Sequence, residues 1–565
     1  MVTRTAERDL VLFLHQFFIL NAIHLRYFIL VIKQNFSSDL KDAITTYQTI
    51  YKDNVERPCE DEHNPPITMA ILWLVFVLSN LFNIVHSFHF TGSTILGEDP
   101  QTVNRLNGES FQQDALVTFN GYQYAVFYES DSSNASIRHP CVSRRSLLAT
   151  SKTGSWQKLT LADYNQTGDD GHDVISLGIS HTDGTLHLGF DQHDNPFNYK
   201  ISKKGIAINP SDVKWDAGVF GPTINYLPGL STLDRSTHFI NITYPRFLSI
   251  PSTALHQNAD LLLEMRVGRS GLGDDWLYQY IPSKGEWELI GKYLEGVNNN
   301  AYINGLDFDL KGSLHATWTY RDYINDTGQD VAVEAGPNGP ENNHDMDYAW
   351  SPNLGQTWLN TWGQQIALLS NTSDENSGDA ADDSILPTSP GITVFSIPKY
   401  GGILNQESQT VDSDGRVHVL NRENGTGVEM WYHYWRSSSN SSPVVWTRTP
   451  LPLPSSLSSR NNITGTPTVI GKRGKLITVP PNSKSNDTLV RLLAILPSNS
   501  PSSTGLSILQ STSKGSFKDW QVIWEAESGC EWEPLVDRYR LQDGDGKLSL
   551  FIVNGTKVEV WDFEV

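Results

Sequence analysis

Cysteine is scarce: Cys59, Cys141 and Cys530 are the only three in 565 residues. That count and spacing exclude a Cys/His zinc module. Beyond residue 87 only one bridge can form, Cys141 to Cys530, with two free buried thiols as the alternative. Charge is sparse as well, 19% of residues, and basic charge especially, with 42 Lys and Arg against 63 Asp and Glu and a net charge of −21. Such a balance argues against nucleic acid, which needs a basic face. An anionic sugar would require a local basic pocket. No helical period of useful length runs between Phe88 and Val565, and no EF-hand spacing appears. Abundant instead are turn formers and aromatics, with Gly 43, Trp 16 and Tyr 21. This is the profile of an extracellular all-β protein.

The first 87 residues read differently from the rest. Residues 1–68 carry an interrupted apolar stretch and a polar segment, and read as a gene-model extension or an anchor. Residues 69–87 open with Met69, run on through unbroken apolar residues, and place Val85 and Ser87 at −3 and −1 of a cleavage site, as in a signal peptide. The alternative is a membrane anchor. Asn-x-Ser/Thr sequons at Asn134, Asn165, Asn241, Asn325, Asn371, Asn424, Asn440, Asn462, Asn486 and Asn554 suit a secreted glycoprotein.

Residues 88–565 read as one domain of short alternating strands. A turn–Gly–x–apolar–polar unit recurs at Gly184, Gly312, Gly415 and Gly546, spaced by 128, 103 and 131 residues. Half of each spacing, roughly 50–65 residues, is one four-stranded blade, and the length then makes about seven blades. The expectation is an all-β fold, a single seven-bladed β-propeller preceded by an N-terminal apolar, signal-like segment. Ser351-Pro-Asn-Leu-Gly-Gln-Thr-Trp358 fits the box that pins blade hairpins and is structural. His187, His315 and His418 alternate within strands and are read as structural too.

The chemistry gathers around one hairpin. Val174–Ser180 and Thr185–Asp191 read as antiparallel strands joined by His-Thr-Asp-Gly, a strong hairpin signal. His172 enters the first strand and His193 leaves the second, so both imidazoles belong at one end of the sheet, as in a proton-transfer site. Three further segments join them: Thr-Tyr244-Pro-Arg-Phe, a strand ending in Arg266 before a glycine-rich loop that carries Arg269, and a strand ending in Arg321. Paired carboxylates flanking a glycosidic bond are not in evidence. β-Elimination from a uronic acid needs an arginine on the carboxylate, a base for the C5 proton and an acid for O4.

His172 in Asp-Gly-His-Asp, His193 in Asp-Gln-His-Asp-Asn-Pro-Phe-Asn-Tyr, Tyr244 in Thr-Tyr-Pro-Arg-Phe and Arg266 before Gly-x-x-Ser-Gly-x-Gly resemble the BNR-repeat propeller polysaccharide lyases. These include the ulvan lyases and the fungal L-rhamnose-α-1,4-D-glucuronate lyases. The resemblance implies a seven-bladed propeller with its active site at one end of the axis. By it, Arg266 neutralises the carboxylate, with Arg269 as the fallback, and His172, His193 and Tyr244 share proton transfer in an order it does not fix. Arg321, Asn304 and His344 would line the sugar site. Structural alternatives are core packing for Tyr244 and an ion pair with Glu264 or Asp274 for Arg266. The implied substrate is a uronic-acid polysaccharide of the gum arabic or arabinogalactan type, with no nucleic acid and no obligate protein partner. No cofactor is required, and a structural Ca²⁺ in the channel is allowed, with ligands unknown.

The leading reading is a secreted lyase cleaving rhamnosyl-glucuronate. The rivals are a hydrolase on the same linkage and a non-catalytic glycan-binding propeller. Export predicts that protein recovered from the medium begins near Phe88; intact residues 1–68 would overturn it.

Overall fold

The computed structural model describes residues 88–565 apart from 149–154, 232, 255–257, 270–272, 297–299, 322–341, 370–383, 426–429, 439–440, 442, 453–471, 482–488, 499–502 and 542–544. The chain separates into two compact units, Met1–Val85 and His86–Val565, and the described residues all belong to the second. The extension and signal-segment readings of 1–68 and 69–87 lie outside the described residues. No helix among the described residues is long and apolar enough to cross a membrane.

Seven antiparallel sheets account for the described strands. Blade one runs over 116–160, blade two over 175–201 and blade three over 242–294. Blade four spans 301–368 with Thr393–Phe395 added, and blades five, six and seven span 408–450, 475–526 and 535–564. The N-terminal strand His89–Glu98 pairs antiparallel with the C-terminal strand Lys557–Glu564 and so closes the ring inside blade seven. Closure removes the free sheet edge that an open array would expose. The seven-bladed all-β expectation holds. The turns at Gly184, Gly312 and Gly415 each join consecutive strands of one blade, as the recurring unit requires.

Alternation along the strands sends apolar side chains into the layers between blades. Blades one and two share a cluster that includes Val126, Val142, Leu177, Leu188 and Phe190. Blades three and four share another around Trp318 and Trp358. The Ser351–Trp358 box is structural as expected: Asn353 Oδ1 accepts from the Thr357 N–H at 2.9 Å, and Trp358 stacks on Tyr293 of blade three at 5.0 Å. His187, His315 and His418 are buried and bonded to Tyr199, Tyr348 and His433. Cys141 and Cys530 are free and sit in different clusters, so the bridge expected across the domain ends is absent; burial pushes both thiols up to about 12.

Two glycines let blade three press on blade two. A Cβ at Gly178 would meet Phe247 Cβ at 2.6 Å, and one at Gly189 would meet Pro245 Cβ at 2.9 Å. These contacts seat the strand Ile242–Ser249 against the hairpin that carries the histidines.

The ring closure is bolted by charge. Asp562 accepts from Arg145 of blade one at 2.8 Å and from Arg540 of blade seven at 2.7 Å. Burial would raise its carboxyl, but the two guanidiniums hold it below the ordinary carboxylate value. Removing one partner of such a group strands the other charge. Asp562→Ala should therefore lower stability by about 3–5 kcal/mol, read as a fall in Tm or in the denaturant midpoint. Because the folded value is depressed, this contribution is present at neutral pH and is lost only as pH falls below ~3.9.

Candidate active site

The histidine hairpin forms as read, with strands Ile175–Ile179 and Leu186–Phe190 in register through Leu177 and Leu188. Residues 193–195 then leave blade two and pair with Ile242 and Thr243 of blade three. His193 is thereby fixed at the seam between two blades. His172 and His193 meet as expected, with ring centroids 3.9 Å apart and planes 19° from parallel.

Asp170 organises the pair. Its Oδ1 lies 2.6 Å from His172 Nδ1 and its Oδ2 lies 2.6 Å from His193 Nδ1. Burial opposes its ionisation, yet the hydrogen bonds from both rings hold its carboxyl well below the usual range. An ionised carboxylate facing both Nδ1 atoms makes each a donor, so a neutral ring carries its lone pair on Nε2. His172 also stacks on Phe111 at 5.4 Å. Burial lowers its pKa, the hydrogen bond to Asp170 opposes that, and the charges of His193 and Arg266 lower it further. A neutral ring at neutral pH is the form a base needs.

Tyr244 is aimed by a local irregularity. Thr243 pairs with Arg266 and Arg246 with Glu264, so two residues, Tyr244 and Pro245, stand opposite one. Tyr244 takes φ +58°, a left-handed conformation uncommon for a tyrosine. Bulges re-aim side chains in this way beside active sites. Its ring lies 5.8 Å from His172, 5.1 Å from Phe111 and 6.2 Å from Tyr302. Burial and the neighbouring Tyr302 raise its pKa, against the charges of Arg266, Arg321 and Arg473. The phenol is protonated at any physiological pH and can serve as a proton donor.

Arg266 lies under that phenol, its Cζ 5.1 Å from the ring. It is 1% exposed, and its Nη2 donates to Asp194 Oδ1 and Thr243 Oγ1, both at 3.0 Å. Its partner is neither Glu264 nor Asp274, as the structural alternative had it: Glu264 faces Arg246 at 3.6 Å. The Arg266 Nε finds no protein acceptor.

The other expected residues are spread more widely. Arg321 stacks on Tyr302 at 4.3 Å and donates from Nε to Asn343 at 2.9 Å, which places it on the rim two rings from the histidines. His344 sits beside it on the paired strand, with Nδ1 2.9 Å from Asp345. Asn304 is fully buried and bonds Asn421 and Glu407 across blades four and five, a structural role. Arg269 is exposed just beyond the strand Leu261–Val267. Sequence reasoning missed Asp170, Phe111, Asp194 and Tyr302. Asp170 and Asp194 had a signal, an acid two residues before one histidine and directly after the other; Phe111 and Tyr302 come from distant segments.

Asp170, His172 and His193 also form the one cluster among the described residues whose donor atoms, within 4.8 Å of one another, could gather a metal ion. One carboxylate and two imidazoles suit a transition metal and not calcium, which takes oxygen ligands.

A family model described as BNR repeat-containing family member matches residues 122–452. The chain is similar to the long isoform of ulvan lyase from Alteromonas sp. (strain LOR), 22% identical over 380 residues, which are 60% of this chain and 35% of that protein. A second ulvan lyase, from Pseudoalteromonas sp. (strain PLSV), is 23% identical over 350 residues, 55% of this chain and 32% of that protein. The chain thus spans about a third of the length of these curated relatives. Among solved structures, polysaccharide lyase Uly1 superposes with TM-score 0.55 at 15% identity, covering 84% of this chain and 99% of that one. An ulvan lyase bound to -[GlcA(1-4)Rha3S]- gives TM-score 0.52 at 12% identity, covering 83% and 97%. These likenesses establish the shared propeller. They overturn the gum arabic and arabinogalactan expectation, because the named relatives are ulvan lyases.

Asp170→Asn removes the negative charge and turns one of the two accepting oxygens, one per ring, into an NH2 donor, and should lower kcat on a cleaved substrate by about 10²–10⁴ with a much smaller change in KM. With the His172 value depressed, the acid limb of kcat/KM should lie below pH ~6.5, since activity needs the neutral ring and is lost as pH falls through its folded value.

Proposed function

The chain belongs to the BNR repeat-containing family, and from that premise we propose that it is a polysaccharide lyase acting on a rhamnose- and glucuronate-containing polymer of the ulvan type. The bond broken is the one from C4 of the uronate to O4. One observation carries the reading: two imidazoles tied through Nδ1 to one carboxylate, next to a protonated phenol lying over a guanidinium.

The C5 proton of a uronate is too weakly acidic to leave while the adjacent carboxylate is fully charged. Positive charge at that carboxylate stabilises the electron density that develops on it. Arg266 supplies charge here, and its unpartnered Nε is a donor that an incoming carboxylate can satisfy. His172 Nε2 takes the C5 proton. The electrons form the C4–C5 double bond, the C4–O4 bond breaks, and the Tyr244 hydroxyl protonates O4. Asp170 holds the imidazolium that results, as a carboxylate does behind a catalytic histidine. His193, stacked on His172 and bonded to the same carboxylate, is placed to pass the proton on and reset the pair.

Elimination is favoured over hydrolysis by the state of the nearby acids. Asp170 is held by two histidines and Asp194 by Arg266, so neither is placed as the nucleophile or water-activating base of a glycosidase. Secretion is proposed with this activity; the sequon residues Asn134 and Asn165 are exposed, as glycan acceptors must be.

Product analysis on ulvan tests the reading. Elimination yields fragments whose masses sum to that of the parent and a new ultraviolet-absorbing unsaturated uronate, and His172→Ala and Tyr244→Phe should each abolish both. Products heavier by one water, without that absorbance, would mean hydrolysis. Binding without turnover would mean a glycan-binding propeller.

A further inference from the structure

The end of the propeller away from the cleft holds a cavity of its own. In blade four the strands Ala301–Phe308 and Leu314–Arg321 have Tyr302 and Arg321 at their cleft ends and turn over at Asp309–Ser313. Eight residues of extended chain put that turn about 25 Å from the cleft. The equivalent turn of blade five, Asp412–Arg416, joins the strands Ser408–Val411 and Val417–Glu423. A cavity of about 530 Å³ lies between the two turns, and residues from Trp435 to Ser441 line its third side. Sites for small ligands have volumes in this range.

The walls are braced. Asp309 Oδ1 accepts from the N–H groups of Lys311 at 2.9 Å and Ser313 at 2.8 Å. Asp412 Oδ1 accepts from those of Asp414 and Arg416, both at 2.9 Å. Gly415, at φ +74°, is where the turns meet: a Cβ there would stand 3.7 Å from Asp309 Oδ2 and 4.0 Å from Ser438 Oγ. Arg416 is clamped by Asp412 at 2.5 Å and Asp414 at 2.7 Å, and its guanidinium lies 5.0 Å from the Phe517 ring. Trp435 packs edge-on against that same ring at 5.3 Å.

The lining selects the ligand. Its charges cancel, with the carboxylates of Asp309 and Asp414 balanced by Lys311 and Arg416. Arg416 is already neutralised by two carboxylates. In a chain of net charge −21, a site with no surplus cation has nothing to attract a sulfate or a uronate. Polar groups are plentiful all the same. Ser413 Oγ and Trp435 Nε1 are buried and have no protein partner, although groups of this kind are ordinarily satisfied. Leu310, 67% exposed, adds an apolar edge. Hydroxyl and indole donors, carboxylate acceptors, an apolar edge and no net charge complement an uncharged pyranose, with its ring of hydroxyls and its C–H faces.

We propose that this cavity is a second carbohydrate site, which binds an uncharged pyranose residue of a polysaccharide and tethers the polymer whose uronate occupies the cleft. Two linked sites hold a long chain more tightly than either alone, and a chain too short to span them gains nothing. The binding stands apart from the elimination reading; the tethering rests on it.

The test titrates protein carrying isotope-labelled tryptophan with L-rhamnose, D-glucose and D-glucuronate. The readout is the indole N–H resonance of Trp435, identified by its absence from Trp435→Phe. One of the two uncharged sugars should move it saturably, and D-glucuronate should not. Ser413→Ala and Asp414→Asn should each weaken that titration by about 3- to 10-fold. A resonance that neither uncharged sugar moves, or affinities that both variants leave unchanged, would overturn the site. An equal response to D-glucuronate would overturn the ligand class. On ulvan, Ser413→Ala should raise KM by the same factor, with KM for a tetrasaccharide cut from it unchanged; a shift that is equal or absent on both would overturn the tether. If no unsaturated product forms, the elimination reading fails alone, and the Trp435 titration still decides the site.

Discussion

Two imidazoles 3.9 Å apart cannot both be charged without cost. At the effective dielectric of a protein surface, two like charges at that distance repel by about 4 kcal/mol. The carboxylate of Asp170 lies between the two Nδ1 atoms and resolves the conflict. It fixes one tautomer on each ring, turns both Nε2 atoms away from itself, and compensates one proton on the pair but not two. The pair thus behaves as one proton acceptor with two faces.

The fold supplies the placement this needs. His172 and His193 are separated by a hairpin whose strands are fully buried, so neither ring can drift without moving blade two. His193 is also stitched to blade three, whose innermost strand carries Tyr244. The bulge at Tyr244 and Pro245 depends on that same seam, because Pro245 packs where Gly189 has no side chain. A left-handed tyrosine costs of order 1–3 kcal/mol and persists only where its surroundings over-determine it. Here Phe111, Tyr302 and Arg266 enclose the ring on three sides.

Much of this was legible in the chain. Period-two alternation with a His-Thr-Asp-Gly turn defines the hairpin, and a hairpin brings its own ends together, so the meeting of His172 and His193 followed from local rules. The blade count followed from the spacing of equivalent turns. What stayed hidden depends on long-range geometry. Phe111 comes from the segment before blade one and Tyr302 from blade four, and nothing in either neighbourhood marks them as facing Tyr244. The partner of Arg266 was sought on its own strand and the next, yet Asp194 reaches it across the seam between blades. Cys141 and Cys530 are the one pair beyond residue 87 and export would favour a bridge, but they pack into different interblade clusters.

A basic site in an acidic protein is less paradoxical than it looks. Exposed charges are screened beyond about 8 Å at physiological ionic strength, so most of the −21 is not felt at the site itself. What counts there is the near field, and its sign reverses: Arg266 is buried beside the Tyr244 ring, Arg473 is partly buried near Phe111 and Arg321 is held on Tyr302. Low polarity around those rings strengthens each interaction relative to water. It also explains why Asp194 stands beside the buried Arg266 and Glu533 beside the partly buried Arg473, since an unpaired guanidinium there would be costly. The site therefore rests in a charge-balanced state, and the positive charge that the proposed elimination calls on is in place before any ligand arrives.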